Sequence, residues 1–452
     1  MRRLARWLLP GLGIKRWLLL SFVGLVVIAV GFNMVFDRYL LSQVERVLIN
    51  SLFYITGEFI PPRPAGVFII LLGGVALAVS IQRVALAVIA VLVPRGQVRL
   101  SDLFLQRKEL ARGPRLVTIG GGTGLSTLLR GLKEHTSNIT AVVTVTDNGG
   151  SSGRLRDALG IPAVGDIRNC LVALADTERL MEELFQYRFG GQSELAGHSF
   201  GNLFLAALTD VTGNLELAVR ESSKILSIRG RVLPSTLDDA VLEAEFDDGS
   251  QVRGELEIVS RTGRIREIRM VPPDCRPLPE TMAAIAEADA IILGPGSLYT
   301  SVIPNLLVPG VAEAISRSKA LVIYVVNVMT QPGETVGYGA MDHVQAVAEY
   351  LRPAAIDYVV VNTSPINRRL LERYRAEGAS VVRPQVGEIE QLGIKVFRGP
   401  VASAGDYVRH DPGRLARAVI EILERTKTGG ERTRLLNTLL GGHARTGGKE
   451  AR

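Results

Sequence analysis

Residues 17–36, WLLLSFVGLVVIAVGFNMVF, form a run of twenty positions without a charge. A helix needs about twenty predominantly apolar residues to cross a bilayer core, so this segment reads as a membrane span. The run is longer than the roughly 7–15 residues of a secretory signal core, and no small-x-small cleavage site follows it. A second run, 66–93, is long enough to span but carries Gln82 and Arg83 near its middle. An arginine there costs about 2.5–3.5 kcal/mol on insertion scales, which the apolar neighbours offset. Residues 1–93 are therefore expected to form a hairpin of two transmembrane helices, about 17–36 and 66–93.

Charge placement orients the hairpin. Residues 1–16 hold five basic residues and no acid, residues 94–115 six basic and two acidic, and the loop 37–65 three of each. Basic excess on both outer flanks predicts both termini and the main domain on the cytoplasmic side of a cell membrane. Within the loop, residues 38–55 have helical apolar spacing and are expected to lie along the outer surface. The formal charge of +7 is concentrated at the flanks and the tail, which leaves residues 116–425 at −7. An acidic globular part lacks the footprint of a nucleic-acid binder. The basic flanks suit anionic lipid instead. Cys170 and Cys275 have no CxxC partner and no nearby histidine pair, so both read as packing residues and no zinc pattern occurs.

After a basic connector, 94–114, apolar runs alternate with helical stretches: RLVTIG, NITAVVTVTD, ADAIILG, KALVIYVVN and IDYVVVN. Continuous Val/Ile/Leu strands interleaved with helices indicate an α/β parallel sheet with helices on both faces. One segment breaks the rhythm. VLEAEFDDGSQVRGELEIV, 241–259, has Asp-Gly between alternating runs and is expected to form a β-hairpin excursion. The Gly-rich basic tail, 426–452, is expected to be disordered, with RLLNTLL as a short amphipathic exception.

The first strand ends in Gly120-Gly121-Gly122-Thr123-Gly124, where a helix begins. Main-chain N–H groups and the helix dipole favour phosphate at such a junction. The dinucleotide fingerprint fails, because its sixth position is Leu125 where Gly or Ala belongs. The lysine of a Walker loop is also missing. The second strand ends in Asp147, Asn148, Gly149, Gly150, Ser151, Ser152 and Gly153. An acid about 25 residues beyond a glycine loop is where a ribose hydroxyl is often held.

Asp166, Arg168 and Asn169 open an apolar-periodic helix. Asp166 suits a cap, whereas a guanidinium near a helix N-terminus is unfavourable unless an anion is also present. His198 and Asn202 are spaced i, i+4 on one helix face, and Gly197 and Gly201 share that spacing, so close helix packing stays open beside a binding role. Gly294, Pro295, Gly296 and Ser297 repeat the strand–glycine–helix logic and should face the same crevice as the first loop. Asn327, Thr330, Gln331, Glu334, Thr335 and His343 follow the next strand, and Arg409 and His410 come late in the chain. Ser151, Ser152 or Ser297 as a nucleophile would need an adjacent base, which the spacing does not supply.

The ordered motifs TIGGGTGLSTLLRGLK, TVTDNGGSSGRLR, GDIRNCLVALAD, GHSFGNLFLAAL, GRVLPST, ILGPGSLYTSVIPNLLV, VMTQPGET and RHDP resemble the bacterial gluconeogenesis factor (YvcK-like) family. That family is related to the 2-phospho-L-lactate transferases (CofD-like). The resemblance covers about 115–425, and the membrane hairpin lies outside it. It implies a Rossmann-like nucleotide-binding fold, no assured cofactor, and a UDP-sugar ligand, UDP-N-acetylglucosamine. It also implies a role in regulating cell shape and peptidoglycan synthesis, with cell-wall synthesis proteins as partners; self-association stays open. By motif, Gly121 to Gly124, Asp147 to Gly153, Asp166 to Asn169 and Gly294 to Ser297 would line the nucleotide site, with Arg409 as a further contact. The transferase relatives use Mg²⁺, yet Asn148 stands where family members commonly carry a second aspartate. An amide is no base and a weaker Mg²⁺ ligand than a carboxylate, so binding is expected over catalysis.

Overall fold

The computed structural model describes residues 15–36, 62–92, 108–176, 179–404 and 407–441, and it divides into an N-terminal unit and a larger unit from residue 103 onward. In the first, helices α1 (Lys15–Val35) and α2 (Pro62–Leu92) run antiparallel. Both are long and apolar enough to cross a membrane. Glycines set their approach: a Cβ on Gly31 would lie 2.7 Å from the Gly66 carbonyl oxygen, and one on Gly73 2.9 Å from that of Gly24. Small residues let backbones touch where no hydrophobic force drives helices together. The Arg83 guanidinium lies 5.4 Å from the Trp17 ring centroid, which gives that charge an aromatic partner. The expected surface helix at 38–55 falls outside the described residues.

In the second unit, seven parallel strands lie in the order β10-β9-β8-β7-β1-β2-β3. They are β1 (Leu116–Gly120), β2 (Ile139–Val143), β3 (Arg231–Pro234), β7 (Ala290–Leu293), β8 (Leu321–Val325), β9 (Tyr358–Asn362) and β10 (Lys395–Gly399). Alternate residues serve opposite faces. Val117, Ile119, Ile291 and Leu293 join one apolar cluster, and Leu116, Ala290 and Ile292 the other. This is why the strands read as unbroken apolar runs. The chain winds outward from β1 through β2 to β3, then resumes on the other side of β1 with β7. The strand order therefore reverses between β1 and β7.

The excursion differs from a plain hairpin. β4 (Val241–Phe246) pairs with a short β5 (Gln251–Arg253) across the Asp-Gly turn and with β6 (Ile265–Val271) on its other edge. Gly254, at φ +102°, ends β5, and Glu255–Ser260 forms a helix where a return strand was expected. β4 alternates as expected, burying Leu242, Ala244 and Phe246. A short antiparallel pair, β11 (Ala402–Ala404) and β12 (Val408–His410), carries Arg409.

Both domain margins shift. Helical backbone and the buried Leu110 begin the folded part at residue 108, inside the expected connector. The helix Pro412–Gly441 runs through much of the segment expected to be disordered from 426. No proline interrupts its backbone hydrogen bonding there, and residues 442–452 lie outside the description.

Candidate functional site

Ligands of open α/β sheets bind beyond the carboxyl ends of the strands where the order reverses. Here those ends are the glycine turns after β1 and β7, and they pack on each other. A Cβ on Gly124 would lie 2.5 Å from the Pro295 oxygen and 2.9 Å from the Gly296 nitrogen. Gly122 adopts φ +64°, a conformation in which a side chain is strained. From Gly122, helix α3 (Gly122–Leu132) points its N-terminus into the space between the turns. The two turns, with Thr127, Asn327, Val328, Met329, Gln331, Val408, Arg409 and His410, line one cavity of about 230 Å³.

The second turn is held by its neighbours. Asn327 grips Gly296 through two hydrogen bonds, and Ser297 Oγ donates to Gln331 Oε1 at 2.8 Å. Buried Glu334 accepts from the Tyr299 N–H at 3.0 Å and from Thr300 Oγ1 at 2.8 Å, fixing the π-helical turn Leu298–Val302 that follows. Burial pushes the Glu334 carboxyl up. Asn305 Nδ2 donates to the Gly120 carbonyl at 3.3 Å, tying this segment back to β1.

Carboxyl groups gather beside the first turn. A Cβ on Gly121 would lie 2.4 Å from Asp166 Oδ2. Gly121 is thus demanded by a protein carboxylate. Burial, then the charge of Asp147, pushes Asp166 up to about 6. Glu255, from the excursion, is pushed up to about 9 by burial and then by Asp147, Asp166 and Glu334. Among the described residues no three metal-ligating side chains come together as a metal-holding group.

The structure separates the remaining sequence candidates. Asn148 Nδ2 donates to Glu257 Oε2 and its Oδ1 accepts from the Leu256 N–H, both at 2.9 Å, so its amide binds the excursion's helix. Gly153 packs against the Asn148 carbonyl. Ser151 Oγ and His198 Nδ1 are 3.0 Å apart, and Asn202 Nδ2 donates to Ser152 Oγ at 3.4 Å. All four are buried, and they pair with one another. His198 and Asn202 do not share a helix face: Ser199 caps the helix Phe200–Thr212, which begins after His198. Cys170 and Cys275 are buried and free.

A second cavity, about 330 Å³, shares Thr123, Thr127 and Arg409 with the first and is also lined by Ser126, Arg130, Arg168, Asn169, Gln186 and Arg188. Thr127, Arg130, Arg188 and Glu255 were missed as candidates by the sequence reading. Thr123, Thr127 and Arg130 recur at i, i+4, i+7 on α3, a face that could have been read from spacing. Nothing local marks Arg188 or Glu255.

The model of the family described as 2-phospho-L-lactate transferase CofD matches residues 116–402. The gluconeogenesis factor of Bacillus subtilis is 47% identical over 316 residues, covering 70% of this chain and all of that protein. A Nostoc sp. protein under the same family name is 46% identical over 422 residues, 92% of each chain. That leaves too little uncovered for both N-terminal helices to fall outside the match. A crystal structure of a UPF0052 family member from Bacillus halodurans superposes with a TM-score of 0.66 at 44% identity, covering 68% of this chain and 99% of that one.

Proposed function

The chain belongs to the gluconeogenesis factor family and carries a CofD-like domain, and on that premise we propose that it is a membrane-anchored receptor for a nucleoside diphosphate sugar. One observation carries the reading: the glycine turns after β1 and β7 meet at the strand-order reversal and share a single cavity with Arg409. A diphosphate seated there meets main-chain N–H groups, the N-terminus of α3 and a guanidinium. UDP-N-acetylglucosamine is the ligand the reading names. The hairpin would hold the domain at the cytoplasmic face, where ligand occupancy reports precursor supply to the machinery of cell shape and peptidoglycan synthesis.

A receptor needs affinity without turnover. The Glu255 carboxyl, pushed up to about 9, keeps its proton near neutral pH, and the Asn148 amide is spent on the excursion. Titration calorimetry of the detergent-solubilised full chain with UDP-N-acetylglucosamine tests the reading. One-site binding is expected; no heat together with no thermal shift overturns it.

The family-model match favours a second reading, transfer of a phospholactyl group from a guanylated donor to a deazaflavin acceptor. Incubation with donor, acceptor and Mg²⁺ decides between them, since product formation replaces the receptor by an enzyme.

A further inference from the structure

Arg168 exposes 7% of its surface, yet its Nε has no hydrogen-bond partner and Asn169 Oδ1, at 2.7 Å, takes one of its Nη2 protons. The fold goes to some length to place it. A Cβ on Gly201 would lie 2.8 Å from Arg168 Cδ, so the glycine makes room for the arginine stem. Burial, and then the Arg188 charge, work against the Arg168 charge. Arg130, Arg188 and Arg409 line the same cavity, and no aspartate or glutamate does. Arg130 has Glu182 at 4.0 Å, at the margin of an ion pair, and Arg188 Nη1 donates to the Gly197 carbonyl at 3.1 Å. Four guanidiniums, one of them a buried, under-used donor, form a site for an oxyanion, because charge-assisted bonds would recover what burial costs.

We propose that this arginine cavity is a second oxyanion subsite, adjoining the glycine cradle across Thr123, Thr127 and Arg409, that takes a carboxylate or phosphate in addition to the ligand's diphosphate. The proposal builds on the diphosphate reading of the neighbouring cavity. The second oxyanion comes either from the sugar of the same ligand, as in a uronic acid, or from a separate small anion.

Calorimetry on the full chain separates these sources. UDP-glucuronate is compared with UDP-glucose, and inorganic phosphate is titrated into protein saturated with UDP-glucose. A same-ligand source gives UDP-glucuronate an advantage of about tenfold or more, the scale of a hydrogen bond to a charged group. Arg188→Gln brings that ratio near one, and Arg269→Gln on the excursion leaves it as in the wild type. A separate source shows instead as phosphate binding that Arg188→Gln removes. A ratio near one with no phosphate binding overturns the proposal and leaves the receptor reading standing. Arg188→Gln weakening UDP-glucose as much as UDP-glucuronate also overturns it, because the cavity then houses the diphosphate itself. Phosphate binding lost in Arg188→Gln, with no UDP-sugar bound, supports the subsite and removes the receptor reading.

Discussion

Asn327 holds Gly296 by both of its main-chain polar groups: its Nδ2 donates to the Gly296 carbonyl at 2.7 Å, and its Oδ1 accepts from the Gly296 N–H at 3.3 Å. One side chain at the end of β8 thereby sets the second glycine turn. Asn327→Ala removes both bonds and should destabilise the protein by about 1–3 kcal/mol, at about 0.5–1.5 kcal/mol per bond. UDP-sugar affinity should fall about tenfold with it, as the cradle loses its fixed geometry. Thermal unfolding and calorimetry on the same variant read the two effects. An unchanged affinity with a lowered melting temperature would separate the turn from the ligand.

Gly124 is confined by backbone. The Cβ of Gly124→Ala would meet the Pro295 carbonyl, which no rotamer change relieves. Overpacking of this kind costs about 1–3 kcal/mol, and here it also pushes the two turns apart. Gly190 is the control, since a Cβ there meets nothing within 4 Å and its φ is ordinary. Gly190→Ala should stay within about 0.5 kcal/mol of the wild type. Equal binding by Gly124→Ala and the wild type would show that contact between the turns is not required.

Much of this arrangement was legible before folding. A strand ending in Gly120–Gly124, and another in Gly294–Ser297, each mark a place where backbone must come close, and parallel strands bring such ends to one edge. Local spacing could not show what fills the space behind them. Gly121 faces Asp166 and Gly201 faces the Arg168 stem, so these glycines answer to side chains distant in the chain. Arg188 reaches the cleft through an isolated bridge to Ser199, and Glu255 through the excursion between β3 and β7. Asn148, read as part of a ligand loop, instead anchors that excursion, because its amide can donate and accept at once.

Asp166 gives the fold a signed dependence on pH. Its carboxyl titrates near 6 when folded, against about 3.9 for an unfolded aspartate. Between about pH 4 and pH 6 the folded protein keeps a proton that the unfolded chain has released. Stability from this group therefore falls as pH rises through that window and levels off above it. Urea unfolding of the wild type and of Asp166→Asn, followed by near-ultraviolet circular dichroism, isolates the effect. The wild type's stability relative to the variant should decline from pH 4 to 6. A flat difference would show that burial and Asp147 do not hold the proton in place.

In the membrane unit, Ser21 and Ser80 face each other across the helix pair with their hydroxyl oxygens 2.5 Å apart, and Ser80 Oγ also donates to the Trp17 carbonyl. Hydroxyl pairs of this kind contribute about 0.6 kcal/mol on average between membrane helices. Close packing therefore rests mainly on the glycines at 24, 31, 66 and 73. Ser21→Cys with Ser80→Cys should form an intramolecular disulfide under oxidising conditions in native membranes. Cys170 and Cys275, being buried, should not compete. Adding Gly31→Ile places a branched side chain where a single Cβ already lies 2.7 Å from the Gly66 carbonyl, and should cut the crosslinked fraction several-fold. Gly74→Ala, at a position where a Cβ meets nothing within 4 Å, should leave that fraction unchanged. Absence of the crosslink in the cysteine pair itself would mean that the two spans do not pack along their glycine faces.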